Sequence, residues 1–197
     1  MATRGRPRDP AISEAILVAT RDLLLEVGYA NLAMEAVAAR AAVSKPTLYL
    51  RFPTRAVLVF EAIFGKTKAR PLPNTGSIRT DLYEAYAWAV EEFTAPEARA
   101  AIPGLLADVA ASPELGQLIR AVVIGPEYAR VKTQLEIAQS DGEVRDDVDL
   151  DLIIDAFIGT ALGRVILLDH ELVETYGRNL VDLLLDGASV AGPARRP

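Results

Sequence analysis

The sequence predicts an all-α protein: an N-terminal three-helix head, joined by a fourth helix to a larger C-terminal helical body. Three observations carry the prediction. Apolar residues recur every three or four positions along nearly the whole chain, the period of an amphipathic helix. Sustained apolar/polar alternation is missing, and no Asn-Gly or Asp-Gly pair lies between β-branched runs. Asp, Ser and Thr stand ahead of the periodic runs, where their side chains can accept the orphan amides of a first helical turn.

Each element follows from these signals. Ile12, Ala15, Ile16, Ala19, Leu23 and Val27 form the stripe of a first helix, with Asp9 as its N-cap, Pro10 at its first position and Gly28 as its stop. Met34, Val37, Ala38 and Ala41 give a short second helix of about eight residues. Ser44 caps a third, which runs to about Arg51 before Phe52-Pro53 ends it. Thr54 caps a fourth, with Val57, Leu58, Ala62 and Ile63 on its stripe. Residues 65–77 hold two prolines and two glycines and read as a junction. Ser77 then caps a helix striped by Ile78, Leu82, Ala85, Tyr86, Ala89 and Phe93. Pro96, Pro103, Pro113 and Pro126 punctuate shorter helices, and two long apolar helices close the chain at about 149–168 and 172–186. The expected organisation is a basic arm at 1–9, a head at 10–55, a connecting helix and linker at 56–76, a body at 77–190 and a tail at 191–197.

Composition narrows the function. Apolar residues make up 51% of the 197 and charged residues 24%, enough apolar surface for a real core. Without cysteine there is no disulfide, zinc ribbon, iron–sulfur cluster or thiol nucleophile. The apolar stretches are too short to span a bilayer, and the basic N-terminus lacks the apolar block of a secretion signal, so a soluble, cytoplasmic protein without membrane contact is expected. The net charge of −6 is unevenly spread. Residues 1–70 hold 11 Lys and Arg against 6 Asp and Glu, a balance of +5, whereas the remainder holds 10 against 21, a balance of −11. A basic head on an acidic body offers one face to a polyanion.

The unit at residues 34–49 gives that polyanion a shape. A short helix, a tight turn and a Ser44-capped second helix have the build of a helix-turn-helix, whose second helix enters the DNA major groove with its N-terminal residues at base edges. Lys45, Pro46 and Thr47 occupy that position. Around them lie cations and hydroxyls suited to phosphates: Tyr49, Arg51, Thr54, Arg55 and the arm with Arg4, Arg6 and Arg8, with Leu50 on the same short helix. Amides at the start of the fourth helix would add a phosphate seat near Thr54.

Gly28-Tyr29, Met34, Val37-Ala38, Ala41, Val43-Ser44, Thr47-Leu48-Tyr49, Phe52-Pro53-Thr54-Arg55 and Leu58 closely resemble the DNA-binding head of the tetracycline-repressor (TetR) family of bacterial transcription regulators. The match covers about residues 8–64, and the body is similar to the family's effector-binding domains in helix number. The resemblance implies that Lys45, Pro46 and Thr47 face bases and that Tyr49 and Arg55 hold phosphates. It also implies double-stranded operator DNA, a second copy of the chain and a small-molecule effector as partners. Two residues depart from the pattern. Ala33 stands where the family usually has a capping Thr or Ser, and Ala42 replaces the usual turn glycine. If that position is left-handed, alanine strains the backbone by about 1 kcal/mol; otherwise the turn is shaped differently.

Other chemistry is poorly supported. The acidic run Asp146-Asp147-x-Asp149-x-Asp151 has Leu152 and Ile158 where a calcium loop needs glycine and glutamate, so it reads as a solvated loop with Asp149 capping the next helix. His170, the single histidine, reads as surface or hinge, since alone it cannot build a typical transition-metal site. No nucleophile elbow or phosphate loop is present, and Glu91 and Glu92 diverge on a helix. Neither enzymatic activity nor a cofactor or metal is expected.

The body offers a ligand pocket and a dimer face. Tyr86, Phe93, Tyr128 and Phe157 are aromatic candidates for the pocket, and Trp88, on the polar side of its helix, is either covered by another segment or lines a cleft. The effector expected there is apolar or aromatic. Ile154, Phe157, Ile158, Ala161, Leu162 and Val165, with Tyr176, Leu180 and Leu184, give more apolar circumference than one core-facing stripe needs, and with their two-fold copies would form a four-helix dimer interface. Gly159 and Gly163 would let a neighbouring helix approach closely. The expected function is a homodimeric repressor released from DNA by a small molecule. The alternative is a DNA-binding protein of the same build whose body takes no ligand and serves a structural or protein-interaction role.

Overall fold

The computed structural model describes residues 9–68, 70, 72–168 and 174–188. The arm with Arg4 and Arg6, His170, the tail at 191–197 and the side chain of Val165 lie outside the described residues. Ten α-helices and no strands are found among them. The head comprises α1 (Pro10–Asn31), α2 (Met34–Arg40), α3 (Lys45–Arg51) and α4 (Arg55–Lys68). The body comprises α5 (Ile78–Thr94), α6 (Pro96–Ala111), α7 (Pro113–Ile119), α8 (Gly125–Ser140), α9 (Leu150–Leu162) and α10 (Glu174–Ala188). Two π-wound segments, Arg120–Ile124 and Gly163–Leu167, extend α7 into α8 and lengthen α9. No described helix is long and apolar enough to cross a membrane.

Local chemistry sets most of the boundaries. Asp9 accepts the Ala11 amide at 3.0 Å, Ser44 the Thr47 amide at 3.3 Å, Thr54 the Val57 amide at 3.2 Å and Asp149 the Asp151 amide at 2.9 Å. Gly28, at φ 71°, kinks α1, and a last turn continues to Asn31. Three expectations are corrected. Ser77 makes no side-chain cap; the Ile78 amide is instead capped from across the body by the Glu143 carboxylate at 2.9 Å. Pro103 lies inside α6 without breaking it, because Ala98, Ala101, Ile102 and Leu105 bury the helix on both sides of the proline. Residues 65–68 belong to α4, so the linker is shorter than composition suggests.

The core runs through the head into the body. Ile16 and Leu24 of α1, Val37 of α2, Leu48 of α3 and Leu58 and Val59 of α4 are at most 1% exposed, and pack in one cluster with Ala101, Ile102 and Leu105 of α6 and Ile119 of α7. A second cluster joins Ile78 and Leu82 of α5, Leu135 of α8, Ile153 and Ile154 of α9 and Val181 and Leu185 of α10. A smaller third one holds Tyr86, Ala161 and Leu180. Helix α6 is therefore shared property, a body helix packed into the core of the head.

Candidate nucleic-acid interface

Leu48 anchors the exposed helix α3. It is fully buried, and burying a leucine side chain is worth about 1.5–3 kcal/mol, so a single residue supplies most of the helix's own hold on the core. Phe52, 7% exposed, seals its C-terminal end. The other residues follow the helical period outward: Lys45 and Pro46 are exposed, Tyr49 is 44% and Leu50 73% exposed. The Thr47 hydroxyl, half-buried, shares a 2.8 Å hydrogen bond with Ser44.

The turn before α3 is the strained part. Ala42 has φ 53°, left-handed, and is the one such non-glycine among the described residues. Alanine there costs about 1 kcal/mol, and the turn's own hydrogen bonds hold it in place. The amides of Ala41, Ala42 and Val43 donate to the carbonyls of Val37, Ala39 and Ala38 at 2.9, 3.2 and 2.9 Å. Ala33 leaves α2 without a side-chain cap, as its chemistry requires.

The cations divide into two groups. Lys45 points outward and pairs with Glu35 at 3.2 Å; the backbone amide of Glu35 and then the Lys45 ammonium hold that carboxyl below the usual range. Arg51 instead donates to the Ser13 hydroxyl of α1. Arg55 turns toward α6: it donates to Asp108 at 2.9 Å, reaches the carbonyls of Tyr29 and Ala30 at 3.4 Å, and lies 4.5 Å over the Tyr29 ring. In this conformation Arg51 and Arg55, both expected at phosphates, each have a partner within the chain. The Thr54 hydroxyl likewise accepts the Val57 amide, taking one of the amides expected at the phosphate seat.

Two family descriptions match the chain, "Bacterial regulatory proteins, tetR family" over residues 16–62 and "Tetracyclin repressor-like, C-terminal domain" over residues 72–184. The chain belongs to the TetR family. It is thus a DNA-binding transcriptional regulator of bacterial kinship. Similar proteins include the HTH-type transcriptional regulator YdeS of Bacillus subtilis, 31% identical over 90% of both chains. The DNA-binding transcriptional repressor TetR of Mycobacteroides abscessus is 30% identical over 94% of this chain and 96% of its own. Among solved structures, the TetR family regulator SCO0332 is 26% identical with a TM-score of 0.75, covering 90% of this chain and 98% of that one. The fold of this TetR-family chain is also that of Bacillus subtilis FadR, solved with stearoyl-CoA, at 18% identity, a TM-score of 0.59 and 88% and 98% coverage.

In the body, the five aromatic residues expected to form a pocket do not converge. Tyr86 and Phe157 meet edge to face, with ring centroids 5.5 Å apart, and Tyr176 lies 6.4 Å from Tyr86. Phe93 packs instead on Phe64 at 5.6 Å, at the head–body seam. Trp88 lies under the Arg70 guanidinium at 5.4 Å, which answers what covers it. Tyr128 donates to the Asp151 carbonyl at 3.3 Å, on the α8–α9 side. A cleft of about 300 Å³ opens along α5 and α10, lined by Tyr83, Glu84, Tyr86, Ala87, Val90 and Arg178. Of the expected pocket residues, Tyr86 alone lines it. Its hydroxyl is buried and has no protein hydrogen-bond partner, and burial pushes the phenol up to about 12. Tyr83, Ala87 and Val90 were missed, although their spacing of four and three marks one face of α5.

The residues expected at a dimer face differ in burial. Ile154, Ala161 and Leu180 are at most 9% exposed and belong to the protomer's own core. Tyr176 is engaged by the Arg164 guanidinium, 3.9 Å over its ring. Phe157, Leu162 and Leu184 are half-buried, and Ile158 is 42% exposed. The residues that stand clear are Leu152 at 64% and Leu183 at 71%. On α9 and its π-wound extension, a Cβ placed on Gly159 or Gly163 meets nothing within 4 Å.

Proposed function

We propose that this chain is a homodimeric repressor that reads a two-fold operator through α3 and is released from it by a small-molecule effector bound in the body. One observation carries the reading: a seven-residue helix fixed through Leu48 turns Lys45, Pro46, Tyr49 and Leu50 to solvent within the basic N-terminal segment, residues 1–70. Lys45, Pro46 and Thr47 face base edges, and Tyr49 holds a phosphate. Release of Lys45 from Glu35 accompanies binding. Two heads sit about 34 Å apart, or a multiple of that, to meet successive turns of one duplex. The exposed Leu152, Ile158 and Leu183 support a second copy against α9 and α10, where Gly159 and Gly163 leave room for close approach. Such a contact sets the spacing of the heads.

For the effector, the cleft beside Tyr86 supports an apolar or aromatic molecule that supplies a hydrogen bond to the buried hydroxyl. By favouring one head spacing it weakens DNA binding through its differential affinity, a coupling of about 1–3 kcal/mol. The effector-free reading draws support from Trp88, Phe93 and Tyr128, each engaged elsewhere in the fold. A thermal-shift screen against apolar and aromatic molecules decides between them, with Tyr86→Phe expected to reduce the shift of any hit. Duplexes enriched from a random pool test the DNA reading. Their affinity should fall with salt at a log–log slope of about 0.9 per neutralised phosphate, and a flat response would contradict it.

A further inference from the structure

We infer that Asp108 is an internal competitor for the DNA backbone: a body carboxylate that holds the Arg55 guanidinium against α6, so that high-affinity DNA binding requires this pair to open. The inference rests on the DNA-binding reading above and names the device through which the body sets the head's affinity.

The geometry is specific. Arg55 is the first residue of α4, one turn after the end of the exposed α3. A cation at a helix N-terminus faces the positive end of the helix dipole, and α4 has no acidic residue in its own first turn to offset it. The missing anion comes from 53 residues further on. Asp108 accepts from Arg55 at 2.9 Å and from the Tyr29 hydroxyl at 2.6 Å. Burial and the bond to Asp108 push the Tyr29 phenol up, so it stays protonated and donates. The Tyr29 hydroxyl, and then Arg55, hold the Asp108 carboxyl below the usual range.

Packing fixes the acid in register. Gly104, one turn before Asp108 on the same face of α6, lies so close to Tyr29 that an added Cβ would meet its ring at 2.4 Å. Ala101 and Leu105 on that side are at most 2% exposed. The triad is therefore held by α6 rather than by chance rotamers. It is not sealed off, however: the Arg55 and Asp108 side chains are 32% and 40% exposed. The two non-bridging oxygens of a phosphate can accept from a guanidinium in place of a carboxylate, so one arginine cannot serve both fully. A ligand that holds α6 in its present place favours Asp108; DNA favours the open pair. The two are linked with opposite sign.

The test is fluorescence anisotropy of the full chain on a duplex enriched from a random pool and on a duplex of scrambled sequence, across a salt series. Four proteins are compared: wild type, Asp108→Asn, Arg55→Gln and the double variant. The expected result is that Asp108→Asn tightens binding to both duplexes about fivefold or more, because no carboxylate has to release Arg55, with the log–log salt slope close to that of the wild type since Arg55 meets the same phosphate in both. In the Arg55→Gln background the same substitution should gain nothing. Thermal melts confirm folding, and Asp108→Ser repeats the comparison if the asparagine variant melts early. Equal affinity for wild type and both Asp108 variants overturns the inference while leaving DNA binding intact. An equal gain with and without Arg55 overturns it as well, reducing Asp108 to a general negative charge. A wild type that binds neither duplex removes the DNA reading, and the inference with it.

Discussion

Two apolar helix surfaces of this chain have opposite fates. At the head–body seam, α6 presents Ala101, Ile102 and Leu105 to α1 and α4, and each is at most 2% exposed. On α9 and α10, Leu152 and Leu183 are 64% and 71% exposed. The glycines tell the same story: Gly104 touches Tyr29, whereas Gly159 and Gly163 face open space. The seam also has a polar lock, Tyr29–Asp108–Arg55, while the outer face has apolar side chains and gaps. Equal hydrophobicity in sequence thus divides into a surface the chain completes by itself and one it leaves exposed, the face proposed above for a second copy.

The contrast can be broken most severely at the seam. Leu105→Ala should lower the unfolding free energy by about 2–5 kcal/mol, read by urea denaturation, because it opens a cavity in the core shared by head and body. A loss below about 0.5 kcal/mol would show that the seam is loosely packed. Leu183→Asp should act differently, leaving the helical spectrum unchanged while sedimentation moves to the 21.2 kDa of one chain. A dimer that survives would place the interface elsewhere.

Paired glycine substitutions sharpen the comparison. Gly104→Ala should destabilise by about 1–3 kcal/mol through the clash with Tyr29. Gly159→Ala, with no neighbour to meet, should gain up to about 1 kcal/mol of helix propensity within the protomer while weakening self-association. Equal effects in denaturation would erase the distinction. The smallest effect concerns pH. Asp108 is held below its ordinary pKa in the folded chain, so its contribution is present above about pH 4 and declines as acid protonates it. The stability difference between wild type and Asp108→Asn should therefore be flat near neutrality and shrink only below that range.

The helices were legible because their signals are local. Asp9, Ser44, Thr54 and Asp149 cap where their chemistry predicts, and the Ser44 cap together with the Phe52-Pro53 stop located α3. Ser77 failed as a cap because its place was taken by Glu143, 65 residues from the Ile78 amide, a distance no local rule spans. Pro103 failed as a break because tertiary burial on α6 outweighs one missing amide. Arg55 was legible as a cation beside the reading helix, but not its direction. That depends on Asp108, which lies on an unremarkable stretch of α6. The candidate pocket aromatics lie apart for a related reason: aromatic identity marks Trp88, Phe93 and Tyr128, yet only three-dimensional packing shows that they serve three separate places. In the expected dimer face, periodicity gave more apolar circumference than one core-facing stripe needs, but not which side the protomer's own core covers.

Amide chemical-shift mapping, with an enriched duplex titrated into the full chain, tests the account at its centre. The prediction is that the largest shifts fall on residues 44–50, with a second set at the start of α4 and around Asp108 as its pair opens. A titration that leaves 44–50 unmoved while another surface responds would contradict it.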